Sequence, residues 1–546
     1  MSDIQQSNKN IEDPLLIQIR SGSSASNTVF YKNRYLYSKY NPSRSIEQLI
    51  ENQVILQGSI ILICSPCLWY GYDKLKSKTA ETSTIIAVEE DIKLLSLAAS
   101  ANPEVPLYSK NNLMELDSYL RLLSESGRYR RIVRIDFSAG TNLNPDFYKR
   151  VFDGCQNIIS TFWKNRITIS KMGKLYSKNL IKNLPKLSYN RQLSDLQRSI
   201  TKPILVVGAG ESLDKTFIQN IPQENFYIIC VDMALESLLA YKVKADAVVA
   251  VESQFAIQKS YIGAKNQDIT LFADLTSRIE ITDILNKDVV FFASEYTREA
   301  FFTDLVKNNI IKSVVPPLGS VGLYAIYIAL YIRKDTNIPV YFTGMDFSYS
   351  IGNTHAKSTA PHRNYLNKCT RLQSVENYDA SFNNTHILFK DKENNTFCTS
   401  PVLKGYAQNF ICNFINYPNI FDIGLSGLNL TFKKKTIQEM IQSSLEESIS
   451  TPTSVTKGSN NKTSDILIYL EERKKDLFMI KDLLTQGTKG DIETTLPRLL
   501  LRNSYLYLHF PDGYRLSLDE SFLNRIRAEV DSFIKTVNYA LKICIR

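Results

Sequence analysis

Short apolar runs alternating with longer amphipathic stretches organise the middle of the chain. Strand-like runs fall at Ile204–Val207, 226–231, 247–251, 269–272, 289–292 and Val340–Thr343, with helical periodicity between them, clearest over 321–333. Runs of four to six residues that are apolar at every position are too short for buried helices and mark strands covered on both faces. Their alternation with helices predicts a parallel sheet over residues 201–440.

A smaller unit precedes this region. Residues 28–31 and 35–37 read as short strands and a helix begins near Ser43. The apolar strands Ser59–Cys64 and 83–88 then flank a helical stretch as a βαβ unit. Its first turn, Ser65-Pro66-Cys67-Leu68-Trp69-Tyr70-Gly71, lacks the glycines a phosphate calls for, so the unit reads as structural. Residues 112–200 read mainly as helices, with one strand at 131–137. Residues 443–464 are poor in apolar side chains and read as a flexible linker. Beyond them Ile466, Leu470, Leu477, Ile480 and Leu484 follow a helical stripe. Phe522, Ile526, Val530, Phe533, Val537 and Leu541 follow a clearer one, with Ser517 and Glu520 spaced as a capping box. The polar residues 1–26 are expected to be mobile. The expected class is α/β, with a Rossmann-like central domain at 201–440, a smaller α/β N-terminal domain at 27–111 and a helical C-terminal domain at 465–546.

Composition narrows this picture only modestly. A chain of 546 residues exceeds what one core supports. The net charge of +10 is scattered, and its densest triplet, Lys433-Lys434-Lys435, reads as a solvated face, so no nucleic-acid partner is expected. No run reaches the ~18 apolar residues of a membrane span, and the N-terminus has no apolar signal core. Of eight cysteines, Cys64 and Cys67 alone are closely spaced; with no second pair for zinc, all read as thiols, and a cytoplasmic setting is expected.

The candidate chemistry sits at predicted strand ends. Gly208-Ala209-Gly210-Glu211-Ser212-Leu213-Asp214 follows the first central strand, as a nucleotide-binding turn would, with backbone N–H groups and Ser212 facing phosphate. Leu213 stands where a dinucleotide fingerprint has its third glycine, which argues against that family. Asp232, and Glu252 with Ser253, follow the next two strands; each suits donor hydroxyls, or a loop acid facing solvent. Gly319 and Ser320 open a helix, as nucleotide contacts or as a simple cap. Asp346 and Tyr349 follow the strand Val340–Thr343, and His355 comes soon after as the first-choice general base, with His386 in reserve.

The order GAGESLD, then Pro316-Pro317-Leu318-Gly319-Ser320-Val321-Gly322, then Gly344-Met345-Asp346-Phe347-Ser348-Tyr349, then Thr354-His355-Ala356 resembles the motility accessory factors. That family shares a domain with a pterin pyrophosphokinase and is distantly similar to bacterial sialyltransferases. Tyr37-Ser38-Lys39-Tyr40-Asn41-Pro42, Phe162-Trp163-Lys164-Asn165-Arg166, Thr399-Ser400-Pro401 and Gly424-Leu425-Ser426-Gly427 extend the resemblance over about residues 30–440. It implies transfer of a nonulosonic acid, pseudaminic or legionaminic, from its CMP-activated form to Ser/Thr of flagellin, in support of flagellum assembly and motility. It implies no metal and no cofactor, and no Asp-x-Asp metal motif stands out in the sequence. By the same resemblance Ser320 contacts nucleotide. Ser348 holds the place of the sialyltransferase tyrosine, with Tyr349 next to it, and Pro316-Pro317-Leu318 replaces an arginine, leaving Lys357 or Arg363 to neutralise phosphate. Two other readings stay open: a Mg-dependent pyrophosphokinase drawing on Asp232, Glu252 and Asp346, and a non-catalytic flagellin-binding scaffold. A homo-oligomer is compatible with the C-terminal stripes.

Overall fold

The computed structural model describes residues 13–21, 24–79, 81–217, 221–376, 386–446 and 463–545. Two compact units emerge: Met1–Lys171 with Phe510–Arg515, and Met172–His509 with Leu516–Arg546.

In the first unit a parallel sheet runs in the order Leu107–Ser109, Thr84–Glu89, Ser59–Cys64, Arg131–Asp136. Ile60, Ile61, Leu62 and Ile63 are all fully buried because alternate side chains enter two separate cores. Ile61 and Ile63 pack with Trp69, Leu94 and Phe137 on one face. Ile60 and Leu62 pack with Leu116, Leu120 and Tyr148 on the other. This two-sided burial explains why no polar alternation marks these strands in the sequence. Leu15–Ser21 and Ser24–Tyr31 pair as an antiparallel hairpin. That corrects the expected mobility of residues 1–26 over this part, where interstrand backbone bonds do what the polar side chains do not; residues 1–12 lie outside the described set.

The second unit holds a larger sheet with every pairing parallel. Its order is Val314–Val315, Asp288–Ser294, Thr270–Asp274, Ala247–Ala250, Tyr227–Val231, Ile204–Val207, Val340–Thr343, Ile420–Asp422, Lys433–Lys434. Arg191–Gln192 adds a bridge to Asp288–Ser294. From Ile204–Val207 the chain steps outward on one side, crosses back through the apolar helix Val321–Ile332, and adds Val340–Thr343 on the opposite side. Ile204–Val207 and Val340–Thr343 therefore flank a topological switch point, beyond whose carboxyl ends ligands of open parallel sheets bind. The α/β class, the Rossmann-like central sheet and the helical C-terminal region agree with the sequence expectation.

The helix Pro145–Asn183 ends against the loops that follow two of these strands. Asn179 Nδ2 donates to Ser253 O (3.3 Å) and Thr276 O (3.0 Å), and Asn183 Nδ2 donates to Leu275 O (2.9 Å) and Ser277 O (3.0 Å). At the C-terminal end Thr463–Gln486 packs on Glu520–Ile545. The last helix is capped by Asp519, whose Oδ1 accepts Phe522 N (2.8 Å), and not by the expected Ser517–Glu520 box. Ile437–Glu446 is helical into the start of the expected linker, whose residues 447–462 lie outside the described set. Among the described residues no helix is long and apolar enough to cross a membrane. Cys64 and Cys67 are buried free thiols, and burial pushes Cys67 up to about 12.

Candidate functional site

At the switch point two loops interlock. Gly208 N donates to Thr343 O (2.8 Å) and Gly210 N to Gly344 O (2.9 Å). A Cβ on Gly208 would stand 2.3 Å from Gly344 O, and one on Gly344, at φ +70°, 2.2 Å from Gly208 O. Asp346 closes the arrangement. Its Oδ2 accepts Ser212 N (2.8 Å), its Oδ1 accepts the Ser212 hydroxyl, and Ser212 Oγ in turn accepts Gly344 N (2.8 Å). Gly427 of the late motif abuts the Asp346 backbone, and Leu428 N donates to Asp346 O (3.0 Å).

This geometry corrects the expected phosphate cradle. The N–H groups of Gly208, Gly210 and Ser212 are all committed within the protein, Ser212 is fully buried, and a carboxylate already occupies the end of helix Ser212–Phe217. The glycines are there for loop–loop approach, with no room left for a ligand between them. Asp346, 2 % exposed, is likewise a positioning group that ties the loops together. Burial pushes it up to about 6, against the Ser212 donors and the Lys392 ammonium, which pull the other way. Lys392 belongs to a buried ion pair with Asp422 (2.6 Å) and also donates to Gly424 O (3.2 Å). Tyr349 exchanges backbone hydrogen bonds with Cys398 (2.9 and 2.8 Å).

The other rim of the switch point is built around the His355 loop. Ala356 N donates to Ala209 O (2.9 Å), Lys357 N to Asp214 Oδ2 (3.0 Å), and Ser237 Oγ to Lys357 O (2.5 Å). These bonds hold the His355 loop across the ends of strands Ile204–Val207 and Tyr227–Val231. His355 is half-buried, its Nδ1 lies 3.1 Å from Thr354 Oγ1, and burial lowers its pKa, so the ring is neutral at neutral pH. Asp232 ends the second of those strands, 3 % exposed and pushed up to about 7 by burial, with the Glu252 charge adding to the rise. Glu252 Oε1 accepts Ser253 N and Gln254 N (2.9 Å each), which fixes its carboxylate at the rim.

Three tyrosines escaped sequence reasoning. Tyr261 is fully buried with an unpartnered hydroxyl, near enough to Asp232 and Glu252 to feel their charges. Tyr176, from helix Pro145–Asn183, is pushed up to about 12 by burial and by Glu252, and Tyr406 lies near it. No spacing signal links these residues, because they come from separate elements that only the fold brings together. Gly319 is exposed at φ +80°; Ser320 is the helix N-cap by position, yet its side chain makes no capping bond. Arg363 pairs with Glu236, and Lys357 is exposed. His386 stands just before strand Ile387–Lys390.

With this geometry defined, the class of fold is clear. A family model described as 6-hydroxymethylpterin diphosphokinase MptE-like matches residues 178–352, the stretch that carries the switch point. The structure of the MAf glycosyltransferase from Magnetospirillum magneticum AMB-1 superposes with a TM-score of 0.54 over 98% of this chain and 91% of that one, at 12% identity. The chain thus has an MptE-like central domain within the fold of a motility accessory factor, as the sequence resemblance implied. An uncharacterized protein of Treponema pallidum (strain Nichols) is 29% identical over 553 residues, covering 96% of this chain and 95% of its own. A second from the same organism is 23% identical over 213 residues, covering 37% of this chain and 70% of its own.

Proposed function

We propose that the protein is a glycosyltransferase that moves a nonulosonic sugar from a CMP-activated donor to Ser or Thr of flagellin. The observation that carries this reading is the His355 loop, bound across the ends of two central strands, the second of which leads into Asp232. The shared fold with a MAf glycosyltransferase supports the reaction class.

In this reading Ser320 and the first turn of helix Val321–Ile332 receive the nucleotide phosphate. Glu252, with Ser253 beneath it, receives donor hydroxyls. His355, with Nδ1–H directed to Thr354 Oγ1, uses Nε2 to take the proton of the acceptor hydroxyl as its oxygen attacks the anomeric carbon. The bond to CMP breaks with its electron pair on the phosphate, and the sugar inverts. Asp232 is held near neutral pH, protonated in part, and its proton serves a donor oxygen. Transfer occurs in the cytoplasm without a resident metal.

Incubation of purified flagellin with CMP-pseudaminic or CMP-legionaminic acid and the enzyme should add the sugar mass to flagellin. His355→Ala should slow this by roughly 100-fold or more. Absence of any mass gain with both donors contradicts the proposal. The matching family model favours one rival, a pyrophosphokinase, which predicts Mg-dependent ATP binding at Asp232 and Glu252.

A further inference from the structure

We propose that the outer face of helix Thr463–Gln486 is a self-association surface. A second copy of this chain lays the same helix antiparallel across it, about a two-fold axis between Phe478 and Met479.

The helix carries two stripes. Ile466, Leu470, Leu477, Ile480 and Leu484 are buried on one side, the stripe that the sequence pattern predicts. On the opposite side stand Ile468, Phe478 and Met479, exposed by 57%, 44% and 50%. Apolar side chains scattered singly over a surface call for no explanation, but these three share one stripe with the exposed Glu471, Lys475 and Asp482. The inner stripe already holds the helix against Glu520–Ile545, so the fold of this unit does not require the outer one.

Lys475, Phe478, Met479 and Asp482 follow the spacing i, i+3, i+4, i+7, the four-residue hole that receives one side chain when two helices pack. Together with Glu471 and Lys474 they border a shallow depression of about 500 Å³. The exposed Phe478 ring is a knob at the edge of that hole. A face that carries both knob and hole fits its own copy, because a two-fold axis sets each on the other.

Charge selects the orientation. The antiparallel register that sets Phe478 on the partner's Met479 also sets Lys475 on the partner's Asp482 and Asp482 on the partner's Lys475. An ion pair then flanks the apolar centre on each side. A parallel arrangement would face Lys475 with the partner's Lys475, like against like. Other charges of this helix are paired within the chain, Glu472 with Arg502 (3.1 Å) and Lys481 with Asp531 (2.8 Å). Among the described residues Glu471, Lys475 and Asp482 make no ion pair, although Glu471 and Lys475 stand at the i, i+4 spacing that favours one. A patch of roughly two turns is smaller than a permanent interface, so the dimer forms at high concentration and separates on dilution.

Sedimentation equilibrium of the full chain over about 1–300 µM reads the association directly and needs no substrate. The weight-average mass should rise from 62.3 kDa towards twice that value. Phe478→Asp should weaken the dimer about tenfold or more. Lys475→Glu and Asp482→Lys each set like charges across the axis and should weaken it about threefold to tenfold, and the double variant should restore it. Circular dichroism melts check that these surface variants fold. A monomer at every concentration overturns the proposal, whatever else covers the face. So does a dimer indifferent to Phe478→Asp, or a double variant that fails to recover the association lost in the single ones.

Discussion

The two parallel sheets treat their switch points in opposite ways. In the central sheet Gly208 and Gly344 bring the flanking loops into backbone contact, and Asp346 fills the helix end where an anion would otherwise sit. In the N-terminal sheet the corresponding ends are held apart over a cavity by Glu89 and its hydroxyl partners, along a turn strained without glycine. The comparison teaches that a glycine-rich turn reports close approach, and that what approaches can be protein. Open space for a ligand leaves no such mark in a sequence.

Matched glycine substitutions break the comparison most directly. Gly344→Ala forces a Cβ to 2.2 Å from the Gly208 carbonyl at φ +70°, so backbone must move. It should cost more than ~3 kcal/mol in urea unfolding. Gly140→Ala meets the Ser65 hydroxyl at 2.2 Å, a side-chain atom that can rotate only by leaving Glu89 and Ser138, and should cost about 2 kcal/mol. Equal losses would mean the two sheets are closed alike.

Next in size is the buried pair beside Asp346. Lys392→Met leaves Asp422, 3 % exposed, without its cation. Destabilisation of about 3 kcal/mol is expected, largely restored by adding Asp422→Leu. Failure of the double variant to recover would show that the charges, and not merely their balance, hold the loop.

A pH dependence sharpens the comparison further. Asp346 is raised to about 6 and Asp232 to about 7, both above the usual 3.8 of an exposed Asp. A raised acid favours the folded state fully below its unfolded value and loses that contribution as pH climbs through the folded one. Stability should therefore fall between about pH 4 and 7, by roughly 3 kcal/mol for Asp346 and roughly 4 kcal/mol for Asp232 at most. Asp346→Asn should reduce the slope between about pH 4 and 6 and leave it above, whereas Asp232→Asn should reduce it up to about pH 7. Unfolding midpoints across pH measure both.

Much of the fold was legible in the chain. Ser59–Cys64, Ile204–Val207 and Val340–Thr343 stand at the residues their apolar runs predict, because strands buried on both faces leave continuous apolar runs. The hairpin at Leu15–Ser21 was hidden, since its stability lies in backbone pairing that polar side chains do not announce. The site was legible only in outline. Asp232, Glu252, Ser320 and His355 were identifiable as residues beyond strand ends, whereas Tyr176, Tyr261 and Tyr406 reach that rim from distant elements and leave no local pattern. Asp346 was legible as a ligand group or a partner of loop amides, and that it and Ser212 satisfy each other is something residue types alone do not disclose.

The central claim is that His355, Asp232, Glu252 and Ser320, each placed beyond a strand end of the central sheet, together receive a CMP-activated donor without metal. The most direct measurement is calorimetric titration of the full chain with CMP, with and without Mg²⁺, in wild type and in Glu252→Ala. The account predicts CMP binding that is indifferent to Mg²⁺ and weakened about tenfold or more by Glu252→Ala. Binding that requires Mg²⁺ and prefers ATP, or CMP binding unaltered by Glu252→Ala, would contradict it.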